Sequence, residues 1–372
     1  MSVAPQFTEI VRHLAPSTPF ISPFAMERAM GRPFALRLGS NESAFGPPPK
    51  ALVVISQTAE RSAWYGDPES YDLRHKLSGI HHVDTEQILV ASGIDELLGL
   101  SVRVLVNPGD SAVTTDGTYP TFAYHVHGYG GFLCVAPYAS SMMPNLDALA
   151  RLARETKAKM VYLANPDNPT GSWYPADAIQ AFLDRVPEDC AVILDEAYIE
   201  FAPYTTALPL ADHDRRLIRM RTFSKVYGLA GLRIGYLIAD PDVVAAMNKI
   251  RLQYGVNAIA QAAALAALDD HQFVRNVTFE INRGREEYYN LALRLGLKSI
   301  PSSANFVCMD FGDARISEAI MEHLRQRAVF VRRAGPRPLE PLLRITVGTP
   351  SERKSFARIL SKVMDEVNIQ RV

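Results

Sequence analysis

The chain has 372 residues, 48% of them hydrophobic, and its 39 lysines and arginines nearly balance 40 acidic residues, for a net charge of −1. This composition predicts a globular protein with one large and one smaller domain, and it argues against nucleic acid as a partner. The sequence shows no signal peptide and no run of about 18 apolar residues that predicts a membrane span, and Cys134, Cys190 and Cys308 stand too far apart for a zinc or disulfide framework, so we expect a cytoplasmic protein without a metal site.

Residues 1–36 predict an N-terminal arm that also contributes to a small domain. The stretch "PSTPFISPF", residues 16–24, carries prolines that disfavour regular helix. We expect residues 37–262 to form the large domain and residues 263–372 to form the small C-terminal domain.

The middle of the chain alternates apolar runs with amphipathic stretches. The predicted strands are "QILVAS", "SAVTTD", "KMVYLAN", "AVILDEAY" and "LIRMRT". Strands that alternate with helices predict a mostly parallel sheet covered on both faces, which is a three-layer α/β/α domain. Downstream, the alanine-rich "AIAQAAALAALDD" predicts a buried helix. The strands "NFVCMDFG" and "LLRITVGT", separated by the helical "ISEAIMEHLRQRA", predict a smaller α+β unit.

In an open α/β sheet, ligands bind at the carboxyl ends of the strands, so polar residues that follow apolar runs are candidate site residues. The first of these lie in "ILVASGIDELL", where a strand turns into a helix. The backbone N–H groups of Gly93, Ile94 and Asp95 at this helix start are suited to an anion. An ordinary strand-to-helix turn is the alternative for this stretch alone.

Two further strands end in polar residues. In "LANPDNPTG" the prolines predict a stiff turn from which the Asn168 amide can donate to a ligand oxygen, although many surface turns look alike. In "AVILDEAYIEF" the buried run ends at Asp195, whose carboxylate needs a positive partner such as a pyridinium, and Tyr198 is placed to contact the same ligand. A P-loop ATPase also has a strand that ends in Asp-Glu, but this chain has no Gly-Lys dipeptide and therefore no P-loop.

The fourth candidate is "TFSKVYGLAGLRIGY", residues 222–236, which begins at the end of the strand "LIRMRT". Ser224 and Arg233 suit a phosphate group, whereas Lys225 taken alone would more often be an exposed lysine. Together the four stretches supply a phosphate site, a pyridinium partner, donors for a ring oxygen and a lysine. This set matches the needs of pyridoxal phosphate, which enzymes hold through a lysine and a carboxylate on the ring nitrogen.

These motifs resemble those of the aspartate aminotransferase superfamily, which is fold type I of the pyridoxal phosphate enzymes, and within it the histidinol-phosphate aminotransferase family. The likeness runs in order through "NESAFGPPP", "WYGDPESYDLR", "SGIDELL", "GTYPTF", "NPDNPTG", "LDEAYIEF", "TFSKVYGLAGLRIGY", "ANFV" and "LLRITVG". The resemblance implies the fold of that superfamily. It also implies an aminotransferase that moves an amino group from a donor to a 2-oxo acid by a ping-pong mechanism.

The resemblance implies a role for each matching residue. Lys225 would bond to the cofactor aldehyde and move the proton of the donor Cα, and Asp195 would pair with the ring nitrogen. Tyr198 and Asn168 would contact the ring hydroxyl oxygen, while Tyr119 would stack on the ring. Ser224, Arg233 and the backbone of Ile94 and Asp95 would hold the cofactor phosphate, and Gly93 and Thr222 would also be among the cofactor-binding residues.

The same resemblance implies a homodimer, because Tyr65 would reach the cofactor phosphate of the neighbouring subunit. Arg344 would bind the substrate carboxylate through paired hydrogen bonds. Arg332 would lie at the side-chain end of the pocket, and Asn41 would contact the substrate.

Two segments depart from the histidinol-phosphate pattern. The arm "PFISPFAMERAMGRPF" lacks the family's tyrosine, and "NESAFGPPP" carries Ser43, Ala44 and Phe45 where "NENPYGPSP" has Asn, Pro and Tyr. The donor therefore stays open between histidinol phosphate and an aromatic or other amino acid, and a threonine-phosphate decarboxylase is the alternative reaction. A cofactor-binding regulator is disfavoured, because the motifs leave no room for an added DNA-binding domain.

Overall fold

The structure is a computed structural model, and it describes residues 5–15, 22–209 and 214–369. Thirteen α-helices lie in these ranges: α1 (Glu9–His13), α2 (Pro23–Met30), α3 (Pro49–Ala59), α4 (Tyr71–His81), α5 (Ile94–Leu105), α6 (Thr121–Gly128), α7 (Leu146–Glu155), α8 (Ala176–Leu183), α9 (Pro241–Asn248), α10 (Ala258–Ala267), α11 (His271–Arg294), α12 (Ala314–Gln326) and α13 (Pro350–Ile369). The same ranges contain thirteen strands: β1 (Leu36–Arg37), β2 (Ile88–Ala91), β3 (Ser111–Thr115), β4 (Phe132–Ala136), β5 (Met160–Ala164), β6 (Ala191–Asp195), β7 (Leu217–Thr222), β8 (Gly235–Ile238), β9 (Lys298–Ile300), β10 (Phe306–Asp310), β11 (Val329–Phe330), β12 (Arg332–Arg333) and β13 (Leu342–Thr346).

Seven strands form the large sheet, in the order β2-β8-β7-β6-β5-β3-β4. Only β8 runs antiparallel to its neighbours, so the sheet is mostly parallel, as predicted. The five predicted strands are confirmed, whereas β4 and β8 were not predicted. Strand β4 lies at the edge of the sheet, and its Phe132 and Val135 stay exposed. Its apolar residues therefore do not mark a buried strand. Strand β8 lies inside the glycine-punctuated motif and is only four residues long.

Alternating side chains of this sheet fill two apolar layers. Tyr162 of β5 and Ile193 of β6 pack on the face covered by α5, while Leu163 and Val192 pack on the opposite face, against α7 and α8. Both faces are buried because each is covered by helices, which is why the central strands are apolar along their whole length. The predicted three-layer α/β/α architecture is confirmed.

A second, antiparallel sheet has the order β12-β13-β10-β9 and packs against α11, α12 and α13. Its core includes Phe306 of β10 and Ile345 of β13. Strand β1 pairs in parallel with β11, so the chain that follows the N-terminal segment joins this second core through Leu36 and Leu38. The predicted strands and helix of the smaller α+β unit are confirmed.

The alanine-rich stretch forms α10, whose Ala260, Ala263 and Ala264 are fully buried, as predicted. This helix crosses the predicted boundary at residues 262 and 263 and packs on α3, so the division into domains stays a prediction. In the described part of the chain, no helix is long and apolar enough to cross a membrane.

The prolines of the N-terminal segment do not exclude helix, as the sequence had suggested for residues 16–24. Residues 16–21 of that stretch lie outside the described residues, but α2 begins at Pro23. Proline is tolerated at the first helical position, because the N–H group it lacks has no partner within the helix there.

The strand order decides where the functional residues meet. The carboxyl ends of β2, β3, β5, β6 and β7 lie at one edge of the sheet, since these strands point the same way. Strand β8 runs in the opposite direction, so the residues just before it, including Arg233, lie at that same edge. All four candidate stretches of the sequence therefore converge there.

Candidate active site

A cavity of about 750 Å³ opens at this edge, between the large sheet and the β12–β13 side of the small sheet. Most residues that the sequence singled out line it: Asn41, Ile94, Asp95, Tyr119, Asn168, Asp195, Tyr198, Thr222, Ser224, Lys225, Arg233, Arg332 and Arg344. Gly93 lies directly beneath its wall, and Tyr65 does not reach it. Segments far apart in sequence thus form one site.

Lys225 is a half-buried site lysine rather than an exposed one. It follows β7 in a turn in which the Ser224 N–H donates to Thr222 Oγ1 at 3.0 Å. Phe223 and Val226 on either side are fully buried, which anchors the turn. The Lys225 Nζ donates to the Asn41 carbonyl at 3.1 Å and lies 5.5 Å from the centre of the Tyr198 ring.

The turn that carries Lys225 also packs against the segment "NESAFGPPP". Gly228 has a φ of +64°, and a Cβ at this position would overlap the carbonyl of Gly46. Gly46 belongs to the "NESAFGPPP" segment, which departs from the family pattern at Ser43. The backbone of that segment is therefore in direct contact with the lysine turn, and only glycine fits at residue 228.

Asp195 ends β6 with its carboxylate 5% exposed. The Tyr162 hydroxyl donates to Asp195 Oδ2 at 2.7 Å, and the Ala197 N–H donates to Oδ1 at 2.9 Å. Burial nevertheless raises the pKa of Asp195 to about 6, although both hydrogen bonds and Lys225 lower it. A cationic ring nitrogen beside this carboxylate would supply the positive partner that the site lacks, so the residues fit a pyridinium ligand.

Tyr162 was not predicted as a site residue. Its signal is present in the strand "KMVYLAN", where a polar hydroxyl stands within an apolar run and points to the same face as Ala164. A buried tyrosine hydroxyl usually finds a partner, and here it is Asp195. The sequence alone does not give this pairing, because it depends on the register of β5 against β6.

The start of α5 forms the anion-binding end of the cavity. Gly93 precedes the helix with a φ of +88°, and a Cβ there would lie 2.6 Å from Arg233 Nη2. Arg233 Nη2 donates to Asp95 Oδ2 at 3.2 Å, and the Tyr119 hydroxyl donates to Asp95 Oδ1 at 2.7 Å. The first N–H groups of the helix, the Arg233 guanidinium and Ser224 line this end together, which suits a phosphate.

Two arginines of the small sheet form the opposite wall. Arg344 Nη1 donates to Asn168 Oδ1 at 2.6 Å, and its Nη2 donates to the Gly39 carbonyl at 3.1 Å. The first bond occupies the amide oxygen of Asn168, which leaves its Nδ2 as the donor that the sequence predicted. The buried Nε of Arg344 has no hydrogen-bond partner in the described residues, as expected of a group that awaits an anion.

Arg332 pairs with Arg344 across β12 and β13. Like charges opposite each other on adjacent strands repel. Burial, with the neighbouring Arg344, lowers the pKa of Arg332, and its guanidinium lies 5.2 Å from the centre of the Phe330 ring. An anionic ligand between the two guanidinium groups would relieve the repulsion.

Asn41 lies deeper than its predicted role in substrate binding requires. It is 2% exposed and its φ is +55°. Its Nδ2 donates to the Tyr198 hydroxyl at 3.0 Å, and its N–H donates to Thr346 Oγ1 at 3.0 Å. Contact of Asn41 with a substrate stays a prediction.

Asp167, which the sequence did not single out, is a buried carboxylate next to Asn168 and does not itself line the cavity. It accepts hydrogen bonds from Thr170 Oγ1 at 2.6 Å and from the Tyr138 hydroxyl at 3.1 Å. Burial raises the pKa of Asp167 to about 6 despite these donors. The carboxylate therefore stiffens the turn that carries Asn168, a role that the prediction gave to the prolines alone. The signal was the Asp-to-Thr spacing of a side-chain-capped turn.

Glu196, next to Asp195, faces away from the cavity. Burial alone would raise its pKa, but the guanidinium groups of Arg219 at 2.6 Å and Arg221 at 2.9 Å lower the pKa of Glu196 to about 2. In the described part of the chain, no group of three or more His, Cys, Asp or Glu side chains is placed to hold a metal ion. The Asp-Glu pair thus separates into a site carboxylate and a structural ion pair.

Tyr65 is 82% exposed, and its ring centre lies 4.7 Å from that of Tyr254. It does not line the cavity of its own chain. Its predicted role in a neighbouring subunit therefore stays a prediction.

Comparison with known proteins identifies relatives of this chain. Residues 35–360 match the family model of aminotransferase class I and II. Histidinol-phosphate aminotransferase 1 of Dechloromonas aromatica is 37% identical over 371 residues, which cover 98% of this chain and 100% of that protein. Histidinol-phosphate aminotransferase 2 of Carboxydothermus hydrogenoformans is 34% identical over 359 residues, which cover 95% of this chain and 98% of that protein.

Solved structures give the same result. Histidinol-phosphate aminotransferase from Sinorhizobium meliloti, in complex with pyridoxal-5'-phosphate, superposes with a TM-score of 0.94 at 40% identity, covering 98% of this chain and 99% of that chain. Aspartate aminotransferase from Thermus thermophilus with maleate has a TM-score of 0.80 at 20% identity, covering 97% of this chain and 100% of that chain. The second comparison shows the fold alone.

The pKa values of Asp195 and Glu196 are shifted in opposite directions, so substitutions at these two residues should change the free energy of unfolding with opposite pH dependences. The pKa of Asp195 is about 6 in the folded protein, which is above its value in the unfolded chain. The folded, ligand-free protein therefore favours the neutral acid, and its free energy of unfolding falls as pH rises from about 4 through 6. Asp195→Asn should raise the free energy of unfolding at pH 7 by roughly 2–3 kcal/mol and change it little at pH 4. Unfolding in urea at both pH values measures this difference.

Glu196→Gln is the matched control. Its folded pKa is lowered to about 2, so its stabilising effect is present above the unfolded pKa of about 4 and is lost as pH falls towards 2. The substitution leaves two buried arginines without their carboxylate, and we expect a loss of about 3–5 kcal/mol at pH 7. An equal effect of Asp195→Asn at pH 4 and pH 7 would contradict the assignment of Asp195 as a destabilising buried acid.

Proposed function

The chain belongs to the class I and II aminotransferases, and from this premise we propose that it uses pyridoxal phosphate to transfer the amino group of histidinol phosphate to a 2-oxo acid. The observation that carries the proposal is the convergence of Lys225 and Asp195 on one cavity, with the α5 helix start and Arg233 at one end. The names of the relatives support the same donor.

The residues present fit the cofactor at three points. Lys225 would bond to its aldehyde, the buried Asp195 carboxylate would face its ring nitrogen, and the start of α5 with Arg233 and Ser224 would hold its phosphate. When bound, pyridoxal phosphate supplies an electron-withdrawing ring that stabilises the negative charge left on the donor Cα. Tyr119 lies at the same end of the cavity, and we assign it the ring face.

The proton transfer falls to Lys225. Lys225 lines the cavity together with Asp195, and its Nζ donates to the Asn41 carbonyl, which supports this role. A base within hydrogen-bond reach of the Cα proton takes it directly and returns it to a second carbon. Tyr198 and the Nδ2 of Asn168 would hold the ring oxygen of the bound cofactor and so keep the ring in place relative to the amine. Because product leaves before the acceptor enters, the kinetics should be ping-pong.

Substrate selection falls to the two facing arginines. The 2-oxo acid acceptor carries a carboxylate, which Arg344 binds through paired hydrogen bonds. The donor phosphate would lie near Arg332, whose charge opposes Arg344 across the strands. One pair of cations thus serves a phosphorylated donor and a carboxylate acceptor in turn.

We also propose a cytoplasmic homodimer. Trp64, Tyr65, Leu252 and Tyr254 are exposed large apolar residues, and the rings of Tyr65 and Tyr254 are in contact. An exposed apolar patch of this kind is typical of a protein interface.

The proposed cytoplasmic location is supported by Cys134, Cys190 and Cys308, which are all free thiols, as in a reducing compartment. Recovery of the protein from an extracytoplasmic fraction would contradict this location.

Lys225→Ala should abolish the visible absorption that the protein acquires with pyridoxal phosphate, because Lys225 is the only lysine among the described residues that line the cavity. Absorption spectra of the wild type and the variant, each mixed with the cofactor and then desalted, measure this. Lys249→Ala, in the exposed turn after α9, is the control and should keep the band. A wild-type protein that takes up no pyridoxal phosphate would contradict the proposed function.

A panel of amino donors tests the substrate. Histidinol phosphate should remove the visible band faster than aromatic amino acids do, and the product should be the oxo compound without release of carbon dioxide. Carbon dioxide release from a phosphorylated amino acid would identify a decarboxylase instead.

Arg332→Ala should raise the KM for histidinol phosphate by about 10–100-fold, because it removes a charge-assisted contact worth about 1.5–3 kcal/mol. Unphosphorylated donors should change by less than about threefold. Steady-state kinetics with both donor types measure the effect. An equal loss for all donors would overturn the assignment of Arg332 to the donor phosphate.

The dimer is tested by pairing two defective subunits. Lys225→Ala should be inactive, and Tyr65→Ala should bind the cofactor about 10–100-fold more weakly. In a hybrid dimer with Tyr65 acting across the interface, one site of two regains both native residues. Co-expression should then restore about a quarter of the wild-type activity at limiting cofactor, since half of the dimers are hybrids. Activity no higher than that of the separate variants would show that Tyr65 acts within its own chain or not at all.

A further inference from the structure

Asn305, just before β10, is a buried amide with an unsatisfied oxygen. It is 1% exposed, its Nδ2 donates to the Asn41 carbonyl at 3.0 Å, and its Oδ1 has no hydrogen-bond partner among the residues that the structure describes. A buried acceptor without a donor reduces stability, and an apolar side chain of the same size would avoid this cost. Packing alone therefore does not explain the amide at this position.

The Asn305 amide donates its hydrogen bond to the same carbonyl oxygen that accepts from Lys225. The Asn41 carbonyl accepts from Asn305 Nδ2 at 3.0 Å and from Lys225 Nζ at 3.1 Å. A carbonyl oxygen has two lone pairs, so these donors occupy both of them. Asn305 thereby confines the lysine to the one remaining acceptor direction.

The carbonyl itself is fixed from three sides. Asn41 holds a left-handed backbone conformation, with a φ of +55°. Thr346 accepts from the Asn41 N–H at 3.0 Å and donates to its Oδ1 at 3.2 Å, while Tyr198 accepts from its Nδ2 at 3.0 Å. Such a backbone conformation persists in a non-glycine residue only where its surroundings enforce it. The carbonyl therefore has one direction in space.

We propose that Asn305 is a positioning residue for the proton transfer, acting on Lys225 through the Asn41 carbonyl. A neutral amine that donates one N–H bond to this carbonyl directs its lone pair away from it, towards the cavity. The lone pair then takes the donor Cα proton as the C–H bond breaks, and the same nitrogen later gives the proton back. This inference rests on the proposed aminotransferase function, because it assigns the resting place of the amine between its covalent engagements.

Asn305→Leu tests the proposal, because leucine has nearly the same size and removes both the donor and the unsatisfied oxygen. Its melting temperature should equal or exceed that of the wild type. The visible band should form with pyridoxal phosphate, but about tenfold more slowly, and kcat should fall about 10–100-fold with KM within twofold. The deuterium isotope effect on loss of the band, with histidinol phosphate deuterated at Cα, should rise because proton transfer becomes limiting.

Thr206→Val is the matched control. Thr206 is 2% exposed and its Oγ1 also lacks a partner within the described ranges, but it does not line the cavity. This variant should gain stability without any change in the isotope effect. If Asn305→Leu fails to fold, Asn305→Ala, which is smaller and also lacks the donor, should show the same kinetic defects.

The outcomes separate this inference from the proposed function. A wild-type protein that forms no visible band, or whose band no donor removes, would refute the function itself. An active wild type together with an Asn305→Leu or Asn305→Ala variant of unchanged rate and isotope effect would refute only the role of Asn305. A loss of stability in Asn305→Leu with an unchanged isotope effect would show that the amide is structural.

Discussion

Asp195 ends a central strand with its carboxylate out of water, and the rest of the site is arranged around that carboxylate. Two hydrogen bonds, from Tyr162 and from the Ala197 N–H, do not offset the loss of hydration, so its pKa stays near 6. The ligand-free protein thus carries a local instability at neutral pH that a cationic ring would remove. Binding energy from this pair is available only to a ligand that brings a positive charge to the strand end.

The small sheet completes the site from the other side, and the two halves meet at Asn41. This residue contacts Lys225 and Tyr198 of the large-sheet side and Thr346 and Asn305 of the small-sheet side. A displacement of either half would break hydrogen bonds to the same residue. The Lys225 amine, to which we assign the proton transfer, is therefore positioned by both cores, although it belongs to only one of them.

The sequence predicted those site residues that directly follow a strand of the parallel sheet. Apolar runs located five strands of the large sheet, and the polar residues after them line one cavity. Contacts between distant segments were not predictable: the Tyr162 hydroxyl meets Asp195 through strand register, and Asn305 meets Asn41 across 264 residues. Asp167 was overlooked because the prolines beside it already accounted for a stiff turn. Tyr65 cannot be placed by one chain, since its predicted partner lies in another.

The contact between Gly228 and the Gly46 carbonyl limits how the donor preference of this enzyme can evolve. The "NESAFGPPP" segment differs from its relatives' pattern in side chains at Ser43, Ala44 and Phe45, while its backbone touches the lysine turn. An insertion or a backbone shift there would move the catalytic amine together with the pocket wall. Exchange of side chains on this loop can therefore reshape the pocket without moving the lysine turn, whereas a change in loop length would move both.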